Sequence, residues 1–139
     1  MFDFFTKHKK PLFEGLCDIH NHLLPAIDDG SKSVGMSLKM LEKYNALGIT
    51  SVIPTPHVYQ ELYPNTPTTI KSAFEILTEK TSKIESPKVN AYAAEYMIDE
   101  VFMKNLQTSM PALLLKGEYI LVEITFFSET TRLVEAGFT

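Results

Sequence analysis

Leu16-Cys17-Asp18-Ile19-His20-Asn21-His22, continuing into Leu23-Leu24-Pro25-Ala26-Ile27-Asp28-Asp29-Gly30, is the stretch from which the rest of the chain is read. An extended segment sends successive side chains to opposite faces. Asp18, His20 and His22 then share one face, while Cys17, Ile19 and Asn21 share the other. Two imidazoles beside a carboxylate at a strand end suit a divalent cation, each ring offering one nitrogen. His-x-His alone reads equally as two solvated histidines at a strand tip, because two ligands rarely hold a metal. The choice rests on what the later chain supplies.

The 139 residues are 45% hydrophobic and 22% charged, ordinary for one globular domain that buries about two-thirds of its unfolded surface. A net charge of −4 argues against a nucleic-acid partner. The single arginine, Arg132, is the one candidate for the bidentate clamp that often holds phosphate. One cysteine forms no internal disulfide, which points to a reducing cytoplasm, and the alternation above turns Cys17 into the core. No apolar run reaches the roughly 20 residues of a membrane span. The segment Met1–Lys10 has its charges on the wrong side for a signal peptide. Residues 1–13 read as an N-terminal tail, anchored by Phe2, Phe4 and Phe5 and with His8 solvated, and residues 14–139 as the domain.

Ser33 is placed to cap a helix over 34–47, with Leu38, Leu41, Met40 and Tyr44 on its packed side and Gly48 at its end. Ile49 to Pro54 reads as a β-branched strand leading to Thr55-Pro56-His57. The prolines forbid helix and hold His57 just past the strand's carboxyl end. Thr66-Pro67 starts a second helix, whose buried stripe is Ile70, Phe74 and Leu77. After Ser86-Pro87, Lys88 to Glu95 forms a third strand, with Glu95 at its end on the face of Val89, Ala91 and Ala93. A helical segment spans about Asp99 to Gln107. The fourth strand runs from Tyr119 to Thr125, and its Glu123, inside Ile120-Leu121-Val122 and Ile124, needs a partner because an unpaired buried carboxylate is costly. Ser128 caps a last short helix to about Ala136.

Strands alternating with helices give an α/β fold, about four parallel strands with helices outside. Ligand sites in such folds gather at the carboxyl ends of the strands. His20 and His22, His57, Glu95 and Glu123 stand at four successive strand ends, which favours the metal reading over the solvated one.

Asp18-x-His20-x-His22, Asp28-Asp29-Gly30, Thr55-Pro56-His57, Ala94-Glu95-Tyr96-Met97 and Leu121-Val122-Glu123 together resemble the PHP (polymerase and histidinol phosphatase) superfamily. Within it the chain is similar to the bacterial manganese-dependent protein-tyrosine phosphatases of capsular and exopolysaccharide biosynthesis. The Leu24-Pro25-Ala26-Ile27-Asp28-Asp29-Gly30 continuation points to that branch. The resemblance implies the N-terminal part of a distorted (β/α)7 barrel, with 14–139 as a truncated PHP-like metallophosphatase domain. It also implies up to three divalent ions, manganese first, with iron or zinc as alternatives. His20 and His22 would bind one ion, Glu95 would bridge it to a second shared with Glu123, and Asp29 and His57 would hold the third. Asp18 would orient an imidazole from behind. By the same resemblance a metal-activated hydroxide attacks the phosphorus, so no cysteine nucleophile is required.

The family pattern continues to a His-Pro-Glu-Arg segment and an Asp-x-His pair that follow the last residue here. Each ion would then have one protein ligand fewer, and Arg132 does not match the family's phosphate-binding arginine. Three readings stand side by side. One is a phosphotyrosine phosphatase acting on a protein such as a polysaccharide-biosynthesis tyrosine kinase. Another is a non-catalytic remnant that binds such a kinase, and the last is a different PHP phosphoesterase. Tyr59 and Tyr63 are candidates to flank a phosphotyrosine ring, or surface aromatics that pack their loop. Lys32 is a candidate phosphate contact. The open edge of the fourth strand is a site for self-association.

Overall fold

The computed structural model describes residues 11–108 and 111–124. The helix expected from Ser128, the anchor expected of Phe2, Phe4 and Phe5, His8 and Arg132 lie outside the described residues.

Five short strands, all paired in parallel, carry the fold: β1 (Cys17–Asp18), β2 (Ser51–Val52), β3 (His57–Val58), β4 (Glu95–Met97) and β5 (Leu121–Glu123). They form a β1-β2 pair and a β3-β4-β5 sheet. The two are joined by separate hydrogen bonds between residues 52–56 and 88–95. Val52 N–H donates to the Lys88 carbonyl at 2.9 Å, Ala93 N–H to Pro54 at 2.9 Å and Glu95 N–H to Pro56 at 3.0 Å.

The sequence predicts one strand over 49–54 and another over 88–95, and both differ in the structure. The first continues as β3 through His57, so His57 lies in a strand instead of beyond one. Glu95 opens β4 instead of closing the strand before it. Pro54 and Pro56 explain both shifts. They lack the N–H groups a full ladder needs, yet their carbonyls still accept from the neighbouring segment. The ladder is interrupted while the alignment survives. Ala91, expected on the buried face with Val89 and Ala93, is exposed. Cys17, expected in the core, is also exposed. Among the described residues β1 pairs only with β2, so Leu16, Cys17 and Ile19 stay uncovered.

The helices start and stop where the capping residues direct. For α1 (Val34–Leu47), Ser33 is extended and its Oγ accepts from Met36 N–H at 3.2 Å. Gly48, at φ 89°, lets Ile49 N–H return to the Tyr44 carbonyl at 3.0 Å. For α2 (Pro67–Thr81), Thr66 and Thr69 satisfy one another's backbone N–H groups. For α3 (Glu100–Gln107), Asp99 Oδ1 accepts from Phe102 N–H at 2.7 Å. Each cap supplies partners that the first turn cannot find within itself.

Leu23, Leu24, Leu41, Val52, Ile70 and Leu77 form the fully buried centre of the core. Ser37, on the packed face of α1, donates to the Leu23 carbonyl at 2.7 Å and so satisfies a backbone group that burial would otherwise strand. Phe102 of α3 meets Tyr96 at 5.7 Å between ring centroids. No helix among the described residues is long and apolar enough to cross a membrane.

The two faces of α2 are a direct check on this packing. Leu77 is wholly buried and Ile76, its neighbour, is 51% exposed. Leu77→Ala is expected to destabilise by about 2–5 kcal/mol, and Ile76→Ala by about 0.5 kcal/mol or less. Urea denaturation of both variants measures the difference; equal losses would contradict the assignment of the faces.

Candidate metal centre

Past Asp18 the first segment stays aligned with the second through side-chain bonds as well as backbone ones. Asp18 Oδ1 accepts from His20 N–H at 3.0 Å, Thr55 N–H donates to the Asn21 carbonyl at 2.9 Å, and Asn21 N–H donates to Thr55 Oγ1 at 3.1 Å. Asn21 Nδ2 donates to the Ile53 carbonyl at 3.3 Å. With Asn21 tied inward, His20 and His22 on either side of it reach toward the sheet's third segment.

The chain then folds back on His22. Ala26 N–H donates to the Ser31 carbonyl at 2.7 Å, Ser31 N–H to the His22 carbonyl at 3.0 Å, and Gly30 N–H to Asp28 Oδ1 at 3.0 Å. Gly30 lies so close that a Cβ built there would sit 2.2 Å from His22 Cβ. Only glycine permits that approach.

Glu95 is the hub, with a side chain only 4% exposed. Its Oε1 lies 2.9 Å from His20 Nε2. Its Oε2 lies 3.5 Å from His22 Nε2 and 3.2 Å from His57 Nδ1. Glu123 Oε2 stands 3.4 Å from His57 Nδ1, and Asp29 Oδ1 is 3.5 Å from His57 Nε2 and 4.0 Å from His22 Nδ1. Three groupings follow: His20, His22 and Glu95; His22, Asp29 and His57; and His57, Glu95 and Glu123, each with ligand atoms within 4.8 Å of one another. The structure thus brings together all six residues proposed as ligands from sequence. In contrast to the expected sets, His57 reaches both the Asp29 side and the Glu95–Glu123 side.

The donor set fits a divalent cation. Glu95 Oε2 is buried and has no hydrogen-bond partner among the described residues, a costly state for a carboxylate oxygen. It points among imidazole nitrogens at the separations that one ion would bridge. Mixed nitrogen and oxygen donors suit borderline divalent metals.

Two ionisable groups show the site's electrostatics. The hydrogen bond from its ring to Asp28 raises the His22 pKa; burial opposes this, while the charges of Asp28, Glu95 and Asp29 add to it. Burial pushes Asp28 up, but the His22 ring and the N–H groups of Gly30 and His57 together hold it below the usual carboxylate range. Asp18 stands elsewhere: the described partners of its carboxylate are the His20 N–H and Tyr44. Burial, reinforced by Asp18, lifts the Tyr44 phenol to about 12. The carboxylate bonded to the Nδ1 side of His22 is Asp28, not Asp18, to which the family resemblance gives the orienting role. The signal for Asp28 was the glycine two residues on, which marks an aspartate folding onto its own backbone.

Tyr63 stacks on His57 with centroids 5.4 Å apart and planes 13° apart, and lines an open depression with Lys32 and Asp28. Tyr59 instead directs its hydroxyl to Glu61 at 3.0 Å. Lys32 Nζ donates to the Asp28 carbonyl at 3.2 Å.

A family model described as capsular polysaccharide synthesis, CpsB/CapC, matches residues 16–137. The tyrosine-protein phosphatase YwqE of Bacillus subtilis (strain 168) is 31% identical over 111 residues, covering 80% of this chain and 44% of that protein. CapC of Staphylococcus aureus is 27% identical over 109 residues, 78% of this chain and 42% of that one. The crystal structures of YwqE from Bacillus subtilis and CpsB from Streptococcus pneumoniae, described as metal-dependent tyrosine phosphatases, include a chain that superposes with a TM-score of 0.70 at 28% identity, over 88% of this chain and 52% of that one. The chain spans about half the length of these relatives.

The His22–Asp28 pair makes metal-free stability depend on pH. A histidine whose folded pKa is raised contributes stability that is complete below its unfolded value, about 6.5, and lost as pH rises through the folded value. Denaturation of chelator-treated protein is expected to show a midpoint that falls as pH rises from about 6.5 through the raised folded value, with His22→Gln flattening the fall. An equally steep fall in His22→Gln would assign the dependence to other groups.

Proposed function

The chain belongs to the capsular polysaccharide synthesis CpsB/CapC family, and from that membership we propose that it is a metal-dependent protein-tyrosine phosphatase. The observation that carries the proposal is the gathering of three imidazoles and two further carboxylates, Asp29 and Glu123, around the buried Glu95. His20, His22 and Glu95 would hold one ion, Glu95 and Glu123 a second, and Asp29 and His57 a third. When bound, such ions activate water as a nucleophile and offset charge on the phosphoryl oxygens. The chain's own part is to keep Glu95 away from water, hold the imidazoles around it, and leave Asp29 and Glu123 at the accessible rim. Manganese is the metal proposed, with iron or zinc compatible with the same donors. Cys17 has no role in this chemistry, since it stands on β1 outside the cluster.

The substrate proposed is a phosphotyrosine protein, in first place a tyrosine kinase of polysaccharide synthesis, and the compartment is the cytoplasm. Tyr63, stacked on His57 at the rim, is the better placed of the two tyrosines to meet an aromatic ring. Residues 14–139 are proposed as a metallophosphatase domain built as the N-terminal part of a PHP-type barrel, and 1–13 as its tail. The parallel order of the segments supports that reading. Tyr119, Val122 and Ile124 are exposed along the β5 side, which supports self-association there. Sedimentation is expected to show concentration-dependent association, and a monomer at every concentration would remove that part.

The enzyme reading is tested by metal analysis and by hydrolysis of phosphotyrosine peptides in added Mn2+. Turnover is expected with Mn2+ and none after chelation, with Glu95→Gln lowering it by at least about 100-fold. Metal-free, inactive protein that still binds the kinase would favour the remnant. Preference for a small phosphate ester over the peptide would favour another phosphoesterase.

A further inference from the structure

Resting on the reading of this cluster as a metal centre, we propose that Asp28 is a positioning residue: it fixes which ring nitrogen His22 offers to an ion and ties that choice to the placement of His57. The Asp28 side chain is wholly buried. Its Oδ2 lies 2.8 Å from His22 Nδ1 and accepts from His57 N–H at 3.2 Å, while Oδ1 accepts from Gly30 N–H at 3.0 Å. All three partners meet a group that, once ionised, can only accept.

A neutral imidazole carries one N–H, and its other nitrogen keeps the lone pair. Against the Asp28 carboxylate the proton belongs on Nδ1, which leaves Nε2 as the ligand atom. Nε2 is the nitrogen that faces Glu95 Oε2 at 3.5 Å, within the group that includes His20. Nδ1, the His22 atom facing Asp29 at 4.0 Å, is thereby withdrawn from the grouping with Asp29 and His57. Of the two groupings that geometry allows His22, Asp28 selects one.

The same oxygen reaches the first residue of β3. Oδ2 thus spans the loop after β1 and the strand carrying His57, and the two rings it governs lie 4.4 Å apart. Carboxylates that hydrogen-bond a ligating histidine from behind commonly fix its tautomer and its orientation. Here one carboxylate does so for His22 while setting the backbone of a second candidate ligand. Asparagine has nearly the same shape but no charge and one acceptor fewer, so whichever end faces His22, the Gly30 or the His57 N–H meets a donor and the bias toward Nδ1–H weakens.

The test uses the full chain, metal-free and 15N-labelled at histidine, in long-range 1H–15N correlation spectra above the His22 titration. His22 is expected as the Nδ1–H tautomer, with its signals assigned by their loss in His22→Gln. Asp28→Asn is expected to lower the Nδ1–H share of His22 and to weaken Mn2+ binding by about 10- to 100-fold in calorimetry. Asp29→Asn is expected to leave the tautomer unchanged. An Nε2–H tautomer in the wild type would overturn the proposal, as would an Asp28→Asn protein with unaltered tautomer and Mn2+ affinity. Should Asp28→Asn fail to fold, the wild-type tautomer alone decides. A wild type that binds no Mn2+ would overturn the metal-centre reading, whereas the absence of phosphatase turnover alone leaves the Asp28 result standing.

Discussion

A carboxylate in the interior of a sheet is the constraint on which this structure depends. Glu95 is almost entirely removed from water, and one of its oxygens has no hydrogen-bond partner among the described residues. Burying such a group is tolerable only among cations or strong donors. Its surroundings meet that demand. His20 comes from the segment after β1, His22 from the turn beyond, and His57 from the neighbouring strand in register with Glu95 itself. The backbone is equally committed, since Glu95 N–H is held by the Pro56 carbonyl. Moving Glu95 therefore means moving β3 and β5 with it.

The parallel sheet makes that convergence possible by unusual means. Its strands are two or three residues long, and a ladder this fragmented is a weak source of order. Alignment comes instead from single bonds placed at the gaps: Ala93 to Pro54, Glu95 to Pro56, and Asn21 to Thr55 and Ile53. The prolines withhold donors and keep acceptors, so the segments stay adjacent while their backbones are free to bend. That bend carries His57 into the same ring of side chains as residues from the first segment.

The loop after β1 holds the site from the other side. Gly30 presses on His22, Ser31 bonds the His22 carbonyl, and Asp28 joins His22, Gly30 and His57. Ala26 adopts φ 60° to close the turn, a backbone state that a residue with a Cβ enters at a cost of about 1 kcal/mol or more. Tight packing and a strained turn leave His22 little freedom, as a preorganised ligand requires.

The sequence alone made the local rules legible: Ser33, Thr66-Pro67 and Asp99 begin the helices, Gly48 ends the first, and the apolar stripe of α2 faces the core. These are contests within a few residues, and short-range chemistry settles them. It also determined which residues had metal-competent atoms, because His20, His22, Asp29, His57, Glu95 and Glu123 stand beside recognisable strand and turn signals. Where those atoms lie relative to one another was decided by the tertiary structure alone. Pairing across sequence gaps set the strand limits, left Cys17 exposed among the described residues and gave His57 two sides to serve. It also chose Asp28 over Asp18 as the carboxylate against an imidazole. An aspartate's neighbours in sequence are the same whichever way its side chain turns; only the folding of the 26–31 turn over His22 brought Asp28, twenty-nine residues from His57, within reach of both.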